Sequence, residues 1–245
     1  MGRKRLDLLL VERGFFESRA KARAAIEAGQ VSVDGIVASR PAALSHSDAA
    51  IEAAPAHPLV GRGALKLEHA LQTWPIVVEG RTVLDIGAST GGFTEVCLAR
   101  GAAKVFAVDV GHGQLHPRLK ADPRVVDLEG TDARRFTGLG EPVTLVVCDV
   151  SFISPEKALP SVLALAAPGA DLIALVKPQF EVGRNKVGRG GVVRREADRA
   201  FALQGVKRFL GASGWDVRGA AESPILGGGG NHEWLVWATK PYSTT

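Results

Sequence analysis

Near the start of the chain, Leu6, Leu9 and Leu10 recur at helical spacing and stop at Gly14, which predicts a short amphipathic helix. Ser18 stands where it would cap a second helix ending at Gly29, with Arg19 and Arg23 on one face. Residues 30–38 then hold two short β runs joined by Asp34-Gly35, the dipeptide that type I′ hairpin turns prefer. A helix pair and a hairpin make a small α+β module, and its slight core is expected to lean on a neighbour or a ligand. Residues 53–58 carry two prolines and no apolar period, the mark of a linker. Residues 63–73 read as a helix, and from residue 82 short apolar runs alternate with helices, the signature of a parallel sheet with crossovers. The runs are 82–86, 104–108, 124–126, 143–148, 171–176, 215–219 and 234–239. Ala202, Val206, Phe209 and Leu210 form a helical stripe between the fifth and sixth runs. Only a loop joins the last two, so they are expected to pair antiparallel.

Composition narrows the class without changing this outline. The chain has 245 residues, 46% apolar and 23% charged, the proportions of an ordinary globular protein of one or two domains. Cys97 and Cys148 are too few for a disulfide framework or a cysteine-rich zinc site and read as buried thiols of a reducing cytoplasm. No metal is expected. His112 and His116 are four apart, which a solvated helix face explains. The run at residues 8–11 is too short for a signal-peptide core, and residues 162–176 are cut by Pro168, Gly169 and Asp171, so neither export nor a membrane span is expected. The net charge is +4, and residues 1–23 alone carry that excess, in Arg3, Lys4, Arg5, Arg13, Arg19, Lys21 and Arg23 against three acids. Such a cationic end is either a merely solvated surface or the footprint of a polyanion, most often nucleic acid.

The segment Asp85-Ile-Gly-Ala-Ser-Thr-Gly-Gly-Phe-Thr94 leaves the first strand of the sheet and opens a helix, where doubly wound folds bind nucleotides. Its Gly87, Gly91 and Gly92, with Ala88 and Phe93, would let backbone approach a ligand. The third position of a dinucleotide fingerprint is Ser89, which weakens a nicotinamide reading. Asp85, two positions before the first glycine, suits a ligand with a cationic amino-acid part. Asp109 closes the second run, where an acid accepts both ribose hydroxyls of a nucleoside. Asp132 either reaches the adenine amino group or caps its own loop. Seven strands ending in an antiparallel hairpin suit a Rossmann-like methyltransferase sheet better than a dehydrogenase.

Four further segments carry chemistry: Gly61-Arg-Gly-Ala-Leu-Lys66-Leu, Cys148-Asp149-Val-Ser-Phe-Ile-Ser154, Leu175-Val-Lys177-Pro-Gln-Phe-Glu181 and Gly230-Asn-His-Glu233-Trp. Asp149 and Lys177 close the fourth and fifth runs and so point into the crevice at the carboxyl edge of the sheet. Through these motifs and the DIGASTGGFT loop, nearly the whole chain resembles the TlyA-type hemolysin-like RNA methyltransferases, whose catalytic half is similar to the FtsJ class of ribose methyltransferases. Residues 1–56 resemble an S-four-type RNA-binding domain, with 57–63 as linker and 64–245 as the methyltransferase domain. The chain departs from relatives at Gly61, where a serine is usual, and at His232, where a small apolar residue is.

The resemblance implies S-adenosylmethionine as cofactor and a Lys66, Asp149, Lys177, Glu233 tetrad acting on ribose 2′-hydroxyls, expected to be cytidines of ribosomal RNA in assembled subunits. A ribose hydroxyl must lose its proton or be stabilised as charge develops. Lys177, desolvated beside a second cation, is expected to accept that proton, Lys66 to stabilise the alkoxide, and the two acids to hold the lysines. Arg184, Lys186 and Arg189, on a glycine-rich and therefore flexible loop after Lys177, are expected to clamp phosphates, as are Arg62 and the cationic cluster Arg3, Lys4, Arg5, Arg19, Lys21 and Arg23. The glycines at 227–230 would let the last catalytic strand adapt. No protein partner is implied. The competing classes are a cytolysin, which should show an export signal or a membrane-active stretch, and a noncatalytic ribosome-assembly factor.

Overall fold

The computed structural model describes residues 2–16, 18–54 and 59–242, and the chain divides into two compact units, 1–58 and 59–245. In the first, β1 (Arg3–Arg5) leads into α1 (Leu6–Glu12) and α2 (Arg19–Glu27), followed by β2 (Val31–Val33), β3 (Ile36–Val37), β4 (Leu44–His46) and β5 (Ile51–Ala53). Ser18 caps α2, its hydroxyl accepting from the Lys21 N–H. Asp34 and Gly35 both take positive φ, the left-handed pair that a type I′ turn requires. The hairpin is wider than its sequence suggests, because β5 adds to β2 in a three-stranded sheet and β1 pairs with β4 in a second. Three consecutive cations in β1 give no alternating pattern, so only the pairing reveals that strand. Ala53 is the last residue of β5 rather than linker, and residues 55–58 of the expected linker lie outside the described residues.

The second unit opens earlier than residue 64. Val60 is buried and its N–H donates to Glu95 at 2.7 Å, so residues 59–63 pack with the larger domain. Its elements are α3 (Gly63–Thr73), β6 (Thr82–Ile86), α4 (Gly92–Ala99), β7 (Lys104–Asp109), α5 (Pro117–Lys120), β8 (Val125–Glu129), β9 (Val143–Cys148), α6 (Pro155–Ala158), α7 (Pro160–Leu165), β10 (Ala166–Val176), α8 (Pro178–Glu181), α9 (Glu196–Ala212), β11 (Asp216–Glu222) and β12 (Trp234–Thr239). The strands form one sheet in the order β11-β12-β10-β9-β6-β7-β8, parallel except for β12, which runs antiparallel to both neighbours. This is the mixed α/β sheet the apolar runs predict, with the final hairpin antiparallel. Strand β10 starts five residues earlier than its apolar run, across an irregularity between Ala166 and Asp171.

Successive residues of each strand serve opposite faces, so the sheet has two cores. Leu84 and Ile86 pack with Val162, Leu203 and Val206 of α7 and α9, while Val83 packs with Leu67 and Val96 of α3 and α4. Both cysteines are buried, and burial pushes the Cys148 thiol up to about 12, an inert form. The histidines do not share a helix face: His116 caps α5 and His112 packs against Gly130.

Candidate active site

Four parallel strands end at one edge of the sheet, and their last residues deliver Gly87, Asp109, Asp149 and Lys177 there. Strand β12 completes the edge. Because Trp234 pairs with Val176 in antiparallel register, Glu233 lies opposite Lys177. The tetrad resolves into two ion pairs, Lys66 Nζ to Glu233 Oε2 at 2.6 Å and Lys177 Nζ to Asp149 Oδ1 at 2.6 Å. The lysine side chains are each 9% exposed, so both pairs are largely desolvated. Each cation thus has its own carboxylate, which offsets the lysine-on-lysine repulsion that the sequence reading relies on. Lys177 also donates to the Ser151 hydroxyl at 2.8 Å.

Close packing explains two of the glycines. A Cβ at Gly87 would stand 2.9 Å from the Asp149 carbonyl oxygen, and the Asp149 N–H donates to the Ile86 carbonyl, so the glycine loop is set directly against the acid. A Cβ at Gly227 would stand 1.8 Å from Glu233 Oε1. This glycine makes room for the carboxylate, a steric duty where the sequence suggests adaptability.

A cavity of about 810 Å³ opens beside the loop, lined by Gly87, Ser89, Asp109, Gln114, Asp132 and Phe152 among others. Asp109 accepts from the Ser89 N–H at 2.8 Å and the Gly111 N–H at 2.7 Å, which holds Ser89 in the left-handed region usually left to glycine. A strand-end carboxylate beside an apolar wall of Val110, Ala133 and Ile153 fits a nucleoside. Asp132 borders this cavity while capping its own loop and pairing with Arg134, which lowers its carboxyl to about 2. A smaller cavity of about 190 Å³ is lined by Arg62, Gly63, Ala88, Gly92, Phe93 and Lys177. Asp149, Ser151, Gly87 and Ser89 line both cavities. Asp85 and Gly91 line neither. Asp85 is fully buried, accepts from the Thr94 hydroxyl at 2.7 Å, and is pushed up to about 7 by desolvation. Its bond to Thr94 braces the loop from beneath.

Sequence reasoning passes over Ser151 and Phe152, although both stand in the segment it quotes. Phe152 has φ +68°, is 91% exposed and lies 5.4 Å from the Phe180 ring. Its left-handed backbone state is invisible in the sequence. The segment after Lys177 is also better anchored than its glycines suggest. Asn231 accepts from the Val193 N–H and donates to the Gly191 carbonyl, while Lys186 pairs with Asp198 and lies over the Phe201 ring. Among the described residues, Arg184 and Arg189 have no partner.

In the first unit, Lys4 pairs with Glu12 and Arg23 with Glu27, Arg3 donates to His46, and Arg5 and Arg19 share Asp7. Lys21 lies in the first turn of α2.

The sheet order, glycine loop and strand-end acid define a methyltransferase of the S-adenosylmethionine-dependent fold. The FtsJ-like methyltransferase family model matches residues 59–240, and the S4 domain model matches residues 4–44. Over 96% of this chain and 89% of the relative, the sequence is 47% identical to the 16S/23S rRNA (cytidine-2′-O)-methyltransferase TlyA of Mycobacterium tuberculosis. Among solved structures, a Streptococcus thermophilus protein provisionally named a hemolysin matches with a TM-score of 0.78 and 38% identity, over 98% of this chain and 90% of that one. An S-adenosylmethionine-dependent methyltransferase from Mesorhizobium loti shares the fold alone, with a TM-score of 0.54 and 12% identity over 73% of this chain and 99% of that one. The chain belongs to the TlyA family of FtsJ-like methyltransferases. Among the described residues, no helix is long and apolar enough to cross a membrane.

Proposed function

We propose that this chain methylates the ribose 2′-hydroxyl of cytidine in ribosomal RNA, acting in the cytoplasm on ribosomal subunits. One observation carries the reading: the large cavity at Asp109 and the smaller cavity at Lys177 and Arg62 meet on a shared wall that includes Asp149 and Ser151. The 47% identity to a relative named for this reaction supports the substrate class.

Bound S-adenosylmethionine supplies the activated methyl group. The loop of Gly87, Ala88, Ser89, Gly92 and Phe93 would seat it, with Gly91 packed behind against Leu115 and Leu119; Asp109 would take its ribose hydroxyls, Asp132 would border the adenine end, and Asp85 braces the loop. Lys177 first releases its own ammonium proton to solvent; its neutral Nζ then accepts the proton of the substrate hydroxyl, and Asp149, 2.6 Å away, stabilises the ammonium that re-forms. Lys66, held by Glu233, offsets negative charge on the attacking oxygen. Arg62, Arg184, Lys186 and Arg189 bind phosphates near the target, and residues 1–56 with their cationic face dock the RNA.

The test is transfer of labelled methyl from S-adenosylmethionine to ribosomal subunits of a strain lacking this activity, with Lys177→Ala alongside and the product mapped by resistance of the ribose linkage to alkali. Wild type is expected to label a ribose, and the variant to be slower by about 10²-fold or more. No label on either subunit, with cofactor binding demonstrated, would overturn the substrate assignment.

A further inference from the structure

Asp7 is wholly buried in the first unit, yet it takes no part in the catalytic site. A carboxylate stripped of water costs several kcal/mol unless cations compensate it. Two cations do so here. Arg5 donates Nε to Oδ1 at 3.0 Å and Nη2 to Oδ2 at 2.9 Å, and Arg19 donates Nε and Nη2 to Oδ2 at 3.2 and 2.9 Å. Arg19 stands at the first residue of α2, where the helix dipole disfavours a cation. Backbone bonds from Leu6 N–H to Ala43 and from Asp7 N–H to Pro41 fix the carboxylate in place.

The two guanidinium groups are only half covered, with side chains 43% and 50% exposed. Each has five N–H donors, of which Asp7 engages two, so three per arginine stay available for an acceptor from outside. Two like charges bound to one carboxylate are held in fixed relative positions, without the rotamer entropy that free surface arginines lose on binding. We infer that Asp7 is a positioning residue, holding Arg5 and Arg19 as one preorganised clamp for phosphate oxygens of RNA. The inference rests on the RNA-docking reading of the first unit.

Asp7→Asn separates this role from simple electrostatics, because the two predict opposite signs. Deleting a negative charge from a cationic face should tighten RNA binding if Asp7 only offsets charge. If Asp7 positions the clamp, the amide N–H₂ of asparagine opposes one guanidinium and specific binding weakens. With the full-length protein and ribosomal subunits, Asp7→Asn is expected to bind about tenfold more weakly. The salt slope of binding should become shallower by about one, while affinity for single-stranded polyuridylate is unchanged or raised.

The same substitution is then made in an Arg5→Gln/Arg19→Gln background whose thermal midpoint shows that it stays folded, where it should cost no further affinity. A tenfold loss persisting in that background would mean that the variant damages the fold, and the inference would fail. Equal or tighter binding of subunits by Asp7→Asn alone would also overturn it. Failure of the wild type to bind subunits would instead overturn the proposed function, a distinguishable outcome.

Discussion

Asp7 in the first unit and Asp85 in the second are both fully buried carboxylates, and their surroundings drive them in opposite directions. Asp7 meets two guanidinium groups and is held down at about 2, whereas Asp85 meets a threonine hydroxyl and is raised to about 7. The lysine and arginine pairs diverge in a similar way. In the first unit the cations bound to Asp7 keep half their surface in water, as suits contact with a large polyanion. In the second, Lys66 and Lys177 are almost completely covered, as the proposed proton transfer and charge stabilisation require. One device, a cation held by a carboxylate, thus appears with the cation half exposed in the first unit and covered in the second.

The sharpest way to break that comparison is to remove one partner from each region. Glu233→Gln leaves Lys66 buried without its countercharge and is expected to cost about 3–5 kcal/mol of stability. Arg19→Gln leaves Arg5 on Asp7 and should cost about 1 kcal/mol or less. Denaturant unfolding of both variants checks the contrast, and similar losses would mean that burial does not set the difference.

A smaller effect is expected from Gly227→Ala, whose added methyl must displace the Glu233 carboxylate. Methyl transfer should fall by about tenfold or more, as expected for an angstrom-scale misplacement in a catalytic site, with cofactor affinity retained. Unchanged transfer would show that Glu233 has slack.

A further effect concerns pH. Asp85 titrates near 3.8 when unfolded and about 7 when folded, so the folded form binds the proton more tightly. Its contribution to stability is full below about pH 4 and declines as pH rises towards about 7. Asp85→Asn keeps an acceptor for Thr94 and removes this decline. From pH 5 to pH 8 the thermal midpoint of wild type should fall relative to that of the variant; parallel curves would count against the raised value. Asp7 carries the opposite sign, its contribution present above about pH 4 and lost as pH falls towards about 2.

Much of the sheet is legible from residue order. The runs at 82–86, 143–148 and 234–239 coincide with β6, β9 and β12 because buried strands are continuous apolar stretches with polar ends. The Asp34-Gly35 turn is equally plain, since few residue pairs tolerate two positive φ angles. Strands β1, β4 and β5 escape notice because three residues are too few to show a period. At the carboxyl edge of the sheet, Lys66, Asp149, Lys177 and Glu233 can be picked out by residue type and position, but not their partners.

By itself, then, the sequence determines the run of the longer elements, the glycine loop and the identity of the charged residues, because local propensity and apolar period are properties of neighbours along the chain. Tertiary structure decides that Lys66 pairs with Glu233 across 167 positions, that Gly227 yields space to a carboxylate, and that Asp7 gathers two arginines while Asp85 stands almost alone. Those outcomes depend on burial and on distances between side chains from separate elements, quantities that exist only once the chain has packed.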